Sequence, residues 1–235
     1  MSPIFLFVII GIGVVAVVAW LNHLGLRRRR EEMAALADEL GWSFDPGHDT
    51  LHDEQYAQFE IFRRGHSRAA HNTLQGAITL LQKTCPARMG DFTYKVTSGS
   101  GKNRRTTTYR FSYLIVHPPL QRLPALLIRP EGMFDKIAGA FGFDDIDFES
   151  AEFSRRFFVK SDDKRFAYGV IDPRMMDFLL RSRPPMVDLE HDCCCVSDGR
   201  QRWTPDQFKA MLGWVEEFYN HWPRHVIDAA ARYAG

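Results

Sequence analysis

The sequence predicts an α+β protein: a single N-terminal transmembrane helix, then one mixed domain with a mainly antiparallel sheet and packed helices. Three observations carry this reading. Residues 4–21 hold no charged or strongly polar side chain. Strand-type segments follow one another from Trp42 to Ile128 across short turns, with no helical pattern between them. The C-terminal half carries amphipathic helical stripes with start and stop signals.

The apolar stretch IFLFVIIGIGVVAVVAWL is long enough to cross a bilayer, since eighteen residues at 1.5 Å each give roughly 27 Å. Its Val and Ile residues are poor helix formers in water, but lipid forces every backbone polar group to pair within the segment. Trp20 stands at the interfacial position. A secretory signal would need a basic stretch ahead of the apolar run and a small-residue cleavage site after it, and neither is present. Arg27, Arg28, Arg29 and Arg30 follow at once. Basic residues flanking a span stay in the cytoplasm, so the expected topology is single-pass in the cell (inner) membrane, N-terminus outside and C-terminal domain cytoplasmic. The organisation is then a 1–26 anchor, a basic juxtamembrane helix over 27–41 and an α+β domain over 42–235.

In the juxtamembrane helix, Met33, Leu36, Ala37 and Leu40 form one stripe, ended by Gly41. Strands are expected at 42–44, 68–74, 77–83, 92–97, 105–116 and 125–128, with Gly76 and the 98–102 loop as hairpin turns. A helix is expected over 133–141, with Met133, Phe134, Ile137 and Phe141 on one face. Asp172-Pro173 opens another that Pro184-Pro185 ends, and Thr204-Pro205 opens the clearest, with Phe208, Met211, Leu212, Val215, Phe218, Tyr219 and Trp222 on its stripe. Pro223 kinks or breaks it. No repeat or flexible linker divides the body, although a split near Asp144 would give two subdomains.

The stretch 147–180 resembles an uncharacterised bacterial family of membrane-anchored proteins classed as domain of unknown function 3137. The similarity rests on Glu149, Glu152, Phe153, Phe157, Val159, Asp162, Ala167, Pro173, Met175, Met176 and Leu180. It implies a bacterial membrane-linked protein and supplies no catalytic residue. Physically, the segment reads as a short helix running into a half-buried strand.

A net charge of +1 argues neither for a general nucleic-acid binder nor for a strongly acidic solvating protein, and no nucleic-acid partner is expected. The Ser98 to Asn103 loop is not a phosphate loop, because Val96 and Asn103 stand where a glycine and a Ser or Thr are needed and a strand follows. Lys102, Arg104 and Arg105 still make the tip basic, which fits contact with anionic lipid or phosphate. Cys193, Cys194 and Cys195 lack metal-ligand spacing and read as buried, reduced packing groups. Either Cys193 and Cys195 share the face of Val187 and Leu189 on one strand, or a turn at His191-Asp192 gives that face to Cys194. His221 and His225 are separated by Pro223, and the acids Asp144, Asp145, Asp147 and Glu149 lack the glycine and distal glutamate of a calcium loop. No cofactor, metal or catalytic motif is expected. The favoured function is a non-enzymatic interaction or ligand-binding module with the lipid bilayer and a protein as partners. The alternative is a hydrolase-like enzyme using some of His66, His71, His117 and the acidic cluster, which requires those side chains to converge in one pocket.

Overall fold

The computed structural model describes residues 3–133 and 146–231, with side chains throughout except for residues 3–9, 102 and 231. The helix expected over 133–141, Asp144 and Asp145 lie outside the described residues beyond Met133. Helix α1 (Pro3–Leu40) runs unbroken for 38 residues from the apolar stretch into the domain. The large apolar side chains from Ile10 to Leu26 are exposed, Ile12 and Val15 by 66% and 69%. This is the one helix among the described residues long and apolar enough to cross a membrane.

Eight strands form one sheet in which every pairing is antiparallel. They are β1 (Ser43–Asp49), β2 (His66–Leu80), β3 (Lys83–Ser98), β4 (Arg105–Val116), β5 (Leu126–Pro130), β6 (Phe157–Ser161), β7 (Met186–Glu190) and β8 (Cys193–Ser197). The spatial order β1-β2-β3-β4-β8-β7-β5-β6 joins an N-terminal meander to a C-terminal set, with β8 hydrogen-bonded beside β4.

Gly76 is not a turn. Residues 66–80 form one strand, and Gly76 sits inside it because the Trp42 ring occupies the space a Cβ would need. The hairpin closes instead through Leu81 and Gln82, both left-handed at φ 49° and 64°. The Ser98 to Arg104 connection is a hairpin tip as expected, with a single 3-10 turn at Gly101–Asn103. The β7–β8 hairpin likewise turns through His191 and Asp192, which selects the second of the two cysteine arrangements.

Strand alternation divides the core between the two faces of the sheet. On one face Met89, Leu114, Val116, Cys194 and Val196 pack under α1 and the C-terminal helices. On the other, Phe92, Phe111, Tyr113, Cys193 and Cys195 pack with Tyr56, Phe59 and Phe62 from the segment around α2 (His52–Gln55).

The helix boundaries follow their caps. Ser150 caps α3 (Ala151–Arg156), which leads directly into β6 as a helix-to-strand unit. Asp163 caps α4 (Lys164–Val170), and Asp172 accepts from Met175 N at 2.8 Å to open α5 (Pro173–Ser182). Thr204 and Gln207 form a reciprocal capping box for α6 (Pro205–Asn220). Pro223 breaks the pattern rather than kinking it, and α7 (Arg224–Ala231) starts afresh.

Candidate functional site

The stripe of α1 that packs on the sheet extends one turn further toward the exposed apolar stretch than its apolar residues show. Arg29 precedes Met33 by four, so it falls on the same face as Met33, Leu36 and Ala37, and all four are buried. Its guanidinium meets Asp91 of β3 in a two-point pair, with Nε and Nη2 donating to Oδ2 and Oδ1 at 2.8 Å each. Asp91 also accepts from Ser112 Oγ at 2.7 Å and Asn72 Nδ2 at 3.3 Å, and Ser112 Oγ accepts from Trp203 N at 2.9 Å. This clamp joins α1, β2, β3, β4 and the entry to α6. Of the four arginines expected at the membrane interface, Arg27, Arg28 and Arg30 are exposed, whereas Arg29 is turned into the domain. Trp20 is 60% exposed on the apolar stretch.

Beyond the clamp, between α1 and the outer half of β3 and β4, lies a groove of about 430 Å³. Leu26 and Arg30 form its helical wall, and Lys95, Arg110, Arg202 and the His48–His71 pair line the rest. The two imidazoles meet edge to face at 4.1 Å between centroids. Burial, then His48, holds the His71 pKa down to about 4, so that ring is neutral at neutral pH. Arg104 and Arg105 are exposed at the hairpin tip past this groove, and Lys102 belongs to the tip's 3-10 turn.

The three histidines offered to an enzyme reading do not share a pocket. His66 bonds Ser67 and Thr97 near the outer end of β2, His71 lines the groove, and His117 lies beyond the far end of β4. Asp147 offers its carbonyl to Tyr168. His117 Nδ1 is 3.2 Å from Cys193 Sγ, yet burial raises the thiol pKa and lowers that of the imidazole. Both shifts favour the neutral pair over the thiolate–imidazolium form that a nucleophile needs. His221 bonds the Glu217 carbonyl and stacks on Phe178, and the helical run is interrupted between it and His225. A second cavity, about 110 Å³, is lined by Asp188, Glu190 and Lys160. Burial and then Glu190 push Asp188 up to about 8. Among the described residues no group of three or more His, Cys, Asp and Glu side chains is arranged to hold a metal ion.

Arg29 could have been found from its place on the helical stripe. Lys95, Arg110 and Arg202 carried no such signal, because strand register and the entry to α6 bring them together.

No protein-family model matches the sequence, and no curated protein matches it significantly. Among solved structures, that of the mycobacterial trehalose monomycolate transport factor A, TtfA, has a similar fold, with a TM-score of 0.52. The match covers 85% of this chain and 97% of that one at 12% sequence identity.

Proposed function

We propose that the protein is a single-pass, membrane-tethered and non-enzymatic module whose cytoplasmic domain holds a protein partner against the bilayer, as an accessory to transport. One observation carries this reading: α1 passes without a break from an exposed apolar stretch into the domain's core, where Arg29 and Asp91 lock it to the sheet. A flexible tether would let the domain roam. A helix fixed to the sheet for three turns presents one face of the domain to the membrane, which suits a factor that acts at the surface beside a partner. The cytoplasmic assignment rests on Arg27, Arg28 and Arg30, which remain exposed next to the span. The transport role is drawn from the fold shared with TtfA, and the spread of the histidines favours binding over catalysis. Membership of the family classed as domain of unknown function 3137 is part of the same reading.

The test is chemical cross-linking in intact membranes, followed by purification of the tagged full chain. A stoichiometric complex with a membrane transport protein is the expected result. A chain recovered alone that hydrolyses a panel of ester and phosphodiester substrates would overturn the proposal.

A further inference from the structure

On the face of β3 and β4 that looks toward α1, the paired positions run Met89–Leu114, Asp91–Ser112, Thr93–Arg110 and Lys95–Thr108. The first pair is core and the second is the buried clamp. The outer two pairs floor the groove whose opposite wall is Leu26 and Arg30. The direction of this gradient is fixed by two contacts. Arg29 meets Asp91, and Trp42, thirteen residues on, covers Gly76, which pairs with Ala87. Moving back along α1 toward the membrane is therefore moving along β3 toward the hairpin tip.

The charge in the groove is unbalanced. Arg30, Lys95, Arg110 and Arg202 are exposed, and among the described residues none of the four has a carboxylate partner. Asp91 is the one acid in the lining, and Arg29, Ser112 and Asn72 already saturate it. Residues 94–110 hold Lys95, Lys102, Arg104, Arg105 and Arg110 and no acid, in a chain whose net charge is only +1. The excess is local, so it calls for a local anion. Height supplies the rest: Leu26 is five residues past Leu21, about 8 Å along the helix, which is the depth of the headgroup layer outside the hydrocarbon.

We infer that this groove binds a phosphate-type anion, supplied by the headgroup of an anionic phospholipid from the bilayer that holds α1. The inference rests on the membrane attachment proposed above. Guanidinium groups suit phosphate because their planar N–H donors match its oxygens, and the two imidazoles add further donors at the rim.

The test uses the full chain in neutral detergent micelles, offered phosphatidylglycerol or phosphatidylcholine, with bound lipid counted by native mass spectrometry. One phosphatidylglycerol should be retained per chain, with at least about a tenfold preference over phosphatidylcholine. Lys95→Gln with Arg110→Gln should weaken that binding about 25-fold, at roughly fivefold per cation removed. Arg104→Gln with Arg105→Gln, beyond the groove, should change it less than about twofold. All four side chains are exposed, so both double variants should keep the wild-type denaturation midpoint. Equal retention of the two lipids, or equal losses from the two double variants, would overturn the groove. Inorganic phosphate binding in neutral micelles at submillimolar concentration would overturn the lipid as source and assign a soluble phosphate. Attachment is read separately: alkaline carbonate releasing the full chain from membranes would sink the anchor while leaving the groove result standing.

Discussion

Replacing Arg29 by Ala removes one half of a buried pair whose side chains are only 8% and 5% exposed. Asp91 then keeps the bonds from Ser112 and Asn72 but loses its counter-charge and its two shortest nitrogen donors. Stranding a buried charge costs about 3 to 5 kcal/mol, a large fraction of the roughly 5 to 15 kcal/mol that holds a domain folded. At about 2 to 4 °C per kcal/mol for a domain of this size, the melting temperature should fall by roughly 6 to 20 °C. Thermal and urea denaturation of the full chain in micelles measure the two quantities, with Arg28→Ala as the control, since Arg28 pairs with Glu32 at the surface. That control should lose less than about 1 kcal/mol. The double variant Arg29→Ala with Asp91→Ala should recover part of the loss, because no charge is then stranded. The same logic places a limit on truncation: a chain beginning at Arg27 keeps the clamp, and one beginning at Glu31 should behave like Arg29→Ala. Equal, small losses for Arg28→Ala and Arg29→Ala would refute the claim that this residue fastens the helix to the sheet.

A reporter fused after Gly235 should remain cytoplasmic, and its export would reverse the proposed topology. Cys194 and Cys195 should resist thiol reagents in the folded chain, because burial lifts the first up to about 12 and the second well above its ordinary value; rapid labelling under native conditions would contradict that. Cys194→Ala should cost about 1 to 2 kcal/mol in urea denaturation through lost packing alone. His52 is fully buried with neither ring nitrogen bonded, and burial followed by Arg88 holds its pKa at about 3, against 6.5 when unfolded. Its neutral form is therefore the folded form, and stability should be fully present above pH 6.5 and fall toward pH 3 by roughly 4 to 5 kcal/mol from this group. His52→Leu should flatten that limb, and an unchanged pH profile would count against it. Asp188 has the opposite sign: its raised pKa means stability present below about pH 4 is lost as pH rises through 8, so Asp188→Asn should raise the urea midpoint at pH 8.

The features that depend on local pattern could be read from the chain. The apolar span, the stripe of Met33, Leu36 and Ala37, the Asp172 and Thr204 caps and the full extent of β4 all follow from residue periodicity or cap chemistry. Gly76 misled because glycine usually marks a turn, and the real turn at Leu81-Gln82 contains no residue that favours positive φ. Tertiary context overrode the local signal, since Trp42, at the entry to the neighbouring strand β1, claims the space above the glycine. The cysteine run allowed two arrangements until the register of Leu189 with Cys194 chose between them. The groove was illegible for a related reason. Its walls come from six separate parts of the chain, and no short motif encodes their meeting.

The clamp and the groove also share a cause in the irregularity of β2. Between His71 and Leu74 the register with β3 slips, so that Asn72 and Thr73 stand together against Gly90. Asn72 takes a left-handed φ of 49°, a conformation that asparagine tolerates better than most residues. Gly90 accepts the close approach: a Cβ there would lie 3.0 Å from the His71 carbonyl oxygen and 3.2 Å from that of Asn72. In a regular ladder, successive side chains would alternate strictly between the two faces. The bulge breaks that rule where α1 leaves the sheet, so that the Asn72 amide reaches Asp91 inside while the His71 ring lines the groove outside. Strain of this kind persists where surrounding contacts over-determine it, and here those contacts are the two-point Arg29 pair and the Ser112 hydroxyl. One distortion of a single strand thus completes the polar seat for α1 and opens the basic surface beside it.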